Sequence, residues 1–140
     1  MSRESILKKE AEAEAEIDLI LGTPNLTYSF FLEHLRAFVM KKFALTDSDL
    51  EETENLDDLA KISLGKALKV SKDLVADYEA GENCEGATSS DVKRTLLLVK
   101  IQKSLSVRLS LQDLMGITTI EDAAKAIWPY YLGRAQHHQG

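Results

Sequence analysis

Leu109–Ile127, LSLQDLMGITTIEDAAKAI, is the stretch that decides the fold class of this chain. A short amphipathic segment runs into Gly116, then Thr118 and Thr119, then a compact Ala-rich run. Thr118 and Glu121, three residues apart, form a capping-box pattern that marks a helix start. Ile120, Ala123, Ala124 and Ile127 recur at helical spacing, and Pro129 is expected to stop the run. The stretch therefore predicts two helices around a tight turn, the end of a small bundle.

Working towards the N-terminus, Ser90–Leu105 predicts a helix with Val92, Leu96, Leu97, Ile101 and Leu105 as its core face. A Gly-bounded loop, Gly81–Gly86, precedes it and holds Cys84. Ile62–Tyr78 predicts another helix, offering Leu64, Leu68, Val75 and Tyr78 to the core. Thr46–Leu59 is acidic and reads as a solvated loop, because the glycine and ligand spacing of a calcium loop are missing. Leu26–Ala44 carries Tyr28, Phe31, Leu35, Phe38, Val39 and Phe43 at spacings of three and four, which predicts a helix with a wide buried stripe. His34 lies on that helix and reads as a structural residue. Ser2–Leu21 predicts a first helix whose EAEAEAE middle is a solvated charged face, ended by Gly22-Thr23-Pro24-Asn25. Trp128, Tyr130 and Tyr131 are expected to pack back onto the bundle, and His137 and His138 to sit in a polar tail.

The expected organisation is thus an N-terminal helical extension (1–25), a helical bundle (26–132) and a polar tail (133–140). With 140 residues the chain suits one domain, able to bury roughly two-thirds of its unfolded surface. Two prolines and no strand-like alternation leave the all-α class. No apolar run approaches the ~20 residues that span a bilayer. The first residues lack the apolar core of a signal peptide, so the expected address is cytoplasmic. A net charge of −6 argues against non-specific nucleic-acid binding. One cysteine excludes an intramolecular disulfide framework, and adjacent His137 and His138 supply at most two metal ligands. No Ser/His/Asp arrangement suggests an enzyme.

The closing segment ITTIEDAAKAI resembles the end of acyl carrier proteins, where a short third helix leads through such a turn into the fourth. The segment SSDVKRTLLLVKIQKSLSVRL is similar to that family's second helix and following loop, and Gly86-Ala87-Thr88-Ser89-Ser90 to its G-x-D-S-L motif. The resemblance implies an acyl-carrier-like bundle with a 4'-phosphopantetheine arm on Ser89. It further implies a phosphopantetheinyl transferase and acyl-processing enzymes of fatty acid or polyketide biosynthesis as partners. A second register, in which DDLAKISL matches the motif, nominates Ser63, and Ser90 is the neighbouring alternative. A phosphate at a helix start meets open backbone N–H groups and the positive end of the dipole. Ser89 is equally a candidate helix cap. Thr88 stands where the family carries aspartate, and Lys93, Arg94 and Lys100 make the helix basic where the family's is acidic. These departures support an alternative reading, a protein-interaction module of similar fold without a prosthetic group, with those three cations as partner-binding residues.

Overall fold

Tyr28–Lys42 (α2) is the helix around which the others pack. Thr27 caps it, accepting a hydrogen bond from the Phe30 N–H at 3.2 Å and satisfying one of the amides that a helix start leaves open. At the far end Ala44 takes a left-handed conformation, φ 56°. Its N–H donates to the Lys41 carbonyl, and the Leu45 N–H donates to the Met40 carbonyl at 2.7 Å, the pairing of a Schellman cap. Between these ends Phe31, Leu35, Phe38 and Val39 are buried, as their spacing predicts.

The computed structural model describes residues 3–68 and 89–138, with side chains described within 8–68 and 89–133. Among the described residues the elements are α1 (Arg3–Gly22), α2, α3 (Asp47–Glu52), α4 (Leu56–Leu68), α5 (Ser89–Leu105), α6 (Leu111–Met115) and α7 (Ile120–His138), with no strand. The all-α class holds, and the helices form one bundle. No described helix is long and apolar enough to cross a membrane. Val75, Tyr78, the 81–86 loop and Cys84 lie outside the described residues.

α1 and α7 pack on α2, and α5 packs on α4 and touches α1. The N-terminal helix is no detached extension, because Ala13, Ile17 and Ile20 are buried in the common core. Its charged run also differs from the solvated face expected. Glu14 pairs with Lys100 of α5 at 2.8 Å, and Glu16 pairs with Lys41 and His34 of α2 at 2.5 and 2.6 Å. The Thr46–Leu59 segment is no plain loop either. Thr46 and Asp49 form a reciprocal capping box that starts α3, and Asn55 Oδ1 accepts from the Asp58 N–H to start α4 at Leu56, six residues earlier than the sequence reading. That shift moves the core face of α4 to Leu56, Leu59, Ala60 and Ile62, and leaves Leu68 exposed. On α5 the buried set is Leu97, Leu98, Ile101 and Leu105, whereas Val92 and Leu96 face outward.

The closing helix departs from its reading at both ends. Its capping box uses Thr119 and Asp122, one residue beyond Thr118 and Glu121: the Thr119 N–H donates to Asp122 Oδ2 at 3.1 Å and the Asp122 N–H to Thr119 Oγ1 at 3.0 Å. Asp122 also accepts from the Thr118 N–H and hydroxyl. These bonds, led by the Thr118 hydroxyl, hold the Asp122 carboxyl below its ordinary pKa. Pro129 does not end α7, which continues to His138. An interior proline costs a helix about 3 kcal/mol, and tertiary contacts on both sides of it offset that. Trp128 lies 5.2 Å and Tyr131 6.0 Å, centroid to centroid, from the Phe31 ring. The Tyr130 hydroxyl donates to Asp113 of α6 at 2.9 Å. Ile120, Ala123, Ala124 and Ile127 are buried as expected.

Two measurements check this packing. Ile17→Ala and Ile20→Ala should each cost about 2–5 kcal/mol in urea unfolding, as buried large-to-small changes do. Leu19→Ala, on the half-exposed face of the same helix, should stay within about 0.5 kcal/mol. For the closing helix, Asp122→Ala should cost about 1–2 kcal/mol, the loss of a cap and its charge-assisted bonds. Glu121→Ala should change stability by less than about 0.5 kcal/mol, the reverse of what a Thr118/Glu121 box requires.

Candidate functional site

The three serines marked by the sequence fall in different environments. Ser63 sits mid-helix in α4, buried, with its hydroxyl donating to the Phe43 carbonyl at 2.7 Å. That bond joins α4 to the end of α2 and engages the hydroxyl, which lies on the wall of a lysine-lined cavity. Ser90 is fully buried. Ser89 is exposed at the first residue of α5, a 17-residue helix. Gly86, Ala87 and Thr88 of its motif lie outside the described residues. Ser89 therefore has the exposure that attachment requires, whereas Ser63 and Ser90 are buried.

The cations nominated for partner docking are not a shared outward face. Arg94 donates from Nη1 to the Ile117 carbonyl at 3.1 Å, tying α5 to the turn before α7. Lys100 pairs with Glu14. Lys93 turns the other way, its ammonium 5.0 Å from the centre of the Phe43 ring. Burial first, and then repulsion by Lys42, hold the Lys93 ammonium below the ordinary lysine pKa.

Lys93 marks the wall of a cavity of about 450 Å³ where α1, α2, α4 and α5 converge. Lys9, Lys41, Lys42, Lys66 and Lys93 line it together with one carboxylate, Glu10. The apolar part of the wall includes the Phe43 ring and Ala67. Lys41 is neutralised by Glu16, and Lys66 by Asp49 while also donating to the Ala44 carbonyl. Glu10 reaches Lys42 only at 3.7 Å. No carboxylate of the described residues pairs with Lys9 or Lys93. The sequence reading singled out two of its lining residues, Lys93 and Ser63, for other roles, but did not bring them together with Lys9, Lys41, Lys42 and Lys66, which come from α1, α2 and α4. Among the described residues there is no group of three His, Cys, Asp or Glu side chains able to hold a metal ion.

No family model, no curated protein and no solved structure matches this chain.

The largely buried Glu16 carboxylate sets the charge balance beside the cavity. Burial alone would raise its pKa, and the hydrogen bonds from His34 and Lys41 reverse this, so the net shift is downward. A depressed carboxyl pKa contributes stability above the unfolded value and loses it as pH falls through the folded one. The stability contributed by the Glu16 carboxylate, measured against Glu16→Gln, should accordingly be present above the ordinary glutamate pKa. It should shrink on acidification below about pH 4, the ordinary glutamate range, when urea unfolding is followed against pH.

Proposed function

We propose that this chain is a non-catalytic, acyl-carrier-like protein, modified at Ser89, that presents a thioester arm to partner enzymes. The observation that carries the reading is the exposure of Ser89 at the first residue of α5, with the loop, short helix and closing helix following in the order the resemblance implies. An anion esterified there lies at the positive end of the helix dipole. Lys93, one turn further along α5, is the nearest cation in sequence on that side of the helix. A 4'-phosphopantetheine arm on Ser89 supplies the thiol that carries an acyl or aminoacyl cargo. The chain's own part is to hold the attachment point on a rigid helix and to keep it in solvent.

A second reading rests on a different face. Val92, Leu96 and Val99 are 47%, 62% and 38% exposed and recur at spacings of four and three on the outer side of α5. An apolar helix stripe of this kind docks in a partner's groove without any prosthetic group. Lys93, Arg94 and Lys100, each engaged within the chain, contribute less to such docking than their number in the sequence suggests.

Intact-mass measurement after incubation with coenzyme A, magnesium and a broad-specificity phosphopantetheinyl transferase separates the readings. The carrier reading expects addition of one phosphopantetheine, lost in Ser89→Ala with the helical circular dichroism signal unchanged. A folded chain that accepts no adduct overturns it and leaves the interaction module.

A further inference from the structure

The cavity at the junction of α1, α2, α4 and α5 holds more positive charge than the carboxylates of the described residues neutralise. Lys41 and Lys66 are held by carboxylates just outside the wall, and Lys42 has a distant contact to Glu10. Lys9 and Lys93 remain without a carboxylate among the described residues. Lys93 is the more constrained of the two, partly withdrawn from water and drawn over the Phe43 ring. The nearby C-terminal carbonyls of α2 do not serve as its counter-charge. Several are taken up by the Schellman amides, and the Ala44 carbonyl accepts from Lys66 instead. Two like charges, Lys42 and Lys93, are thus kept close in a chain whose overall charge is −6. In an acidic protein, such a local excess of cations favours an anionic occupant.

We infer that this cavity binds a small organic phosphate, its dianionic head between Lys93, Lys42 and Lys9 and its apolar body against Phe43 and Ala67. Three features fit that ligand class. Two unneutralised ammonium groups match the charge of a phosphate monoester, which forms stronger, shorter hydrogen bonds with them than a neutral acceptor does. The volume of about 450 Å³ lies in the range of small-molecule sites and well above the space a bare phosphate fills. The wall is mixed, with an aromatic face and a methyl group beside the cations, so it offers contact to carbon as well as charge. The groups that face Lys93 across the cavity come from every element around it: Lys9 and Glu10 from α1, Lys42 from the end of α2, and Lys66 from α4. Of the described lining residues only Glu10 is a carboxylate that opposes an anion, and it lies 3.7 Å from Lys42. Ser89 is not among the lining residues, so the inference stands apart from attachment at that serine.

Phenyl phosphate is a direct probe, titrated into the unmodified full chain at fixed ionic strength with NMR detection of the lysine side chains and backbone amides. The expected result is saturable binding in the millimolar range or tighter, with shifts centred on residues 9, 42, 43 and 93 and an upward shift of the Lys93 titration in the bound state. Lys93→Gln and Lys42→Gln should each weaken binding about tenfold or more, the loss of one charge-assisted contact. Lys103→Gln, which removes an exposed lysine from the outer side of the same helix, should leave it unchanged, and so should Ser89→Ala. Because Lys93→Gln also removes the contact with Phe43, circular dichroism and urea unfolding establish that each variant is folded. Absence of saturation, equal weakening by Lys103→Gln, or undiminished binding in folded Lys93→Gln and Lys42→Gln would overturn the assignment.

Discussion

Burial of the α2 stripe is the constraint on which the rest of the structure depends. Phe31, Leu35 and Phe38 are removed from water completely, and no single neighbour could cover them. α1 supplies Ala13, Ile17 and Ile20 for part of the surface, and α7 supplies Trp128 and Tyr131 for another. Each buried large side chain is worth about 1.5–3 kcal/mol of transfer free energy, so leaving either flank open would forfeit several such contributions. The Tyr131 hydroxyl, donating to the Ile20 carbonyl at 3.4 Å, brings the two flanking helices together beside α2. This is why the first and last helices of the chain, far apart in sequence, belong to one core.

A second fastening joins the middle of the chain to its end. The Leu56 N–H donates to the Thr118 carbonyl at 2.8 Å, and the Ile120 N–H donates to the Glu54 carbonyl at 3.3 Å, across a short antiparallel bridge between Asn55 and Thr119. Each bond satisfies an amide in the first turn of a helix, α4 in one direction and α7 in the other. Amides of that kind have no partner within their own helix, so the two helix starts cap one another. The Arg94 guanidinium, donating to the Ile117 carbonyl, adds α5 to the same junction. The arrangement fixes where α4 and α7 begin without demanding an apolar contact, and it positions α5 relative to both.

The parts of the fold legible in the sequence are those governed by long apolar periodicity. The α2 stripe and the Ile120, Ala123, Ala124, Ile127 set could be read because burial repeats along one helix face. The misread parts are those decided by partners distant in the chain. Pro129 carries a strong local stop signal, yet α7 continues because Trp128 and Tyr131 are anchored on Phe31. The alternating Glu run looks solvated in isolation, and only the positions of Lys41, His34 and Lys100 turn Glu14 and Glu16 into interhelical contacts. The capping box slipped by one residue because Thr118-Thr119 and Glu121-Asp122 offer two equivalent boxes, and the bridge at Thr119 selects the second. Of the candidate site, Ser89 was legible as a serine at a helix start. The lysine cavity was not, since its walls come from four separate helices.

The same logic bears on how an acidic chain comes to hold a basic cavity. Most described ion pairs join different elements: Glu14 and Glu16 of α1 reach α5 and α2, Glu54 reaches Arg36, and Asp49 of α3 reaches Lys66 of α4. The more exposed of these pairs, such as Glu14 with Lys100, stabilise little individually, about 0–1 kcal/mol, but together the pairs determine which cations are spent. Glu16 holds Lys41 and Asp49 holds Lys66, which orders those side chains at the rim. Lys93 is different, because α5 must face its Leu97 and Ile101 into the core, and that rotation carries Lys93 onto Phe43. Among the described residues no carboxylate pairs with this half-buried ammonium, and replacing it with a neutral side chain would relieve the repulsion from Lys42. A bound anion would supply the compensation that the described carboxylates do not.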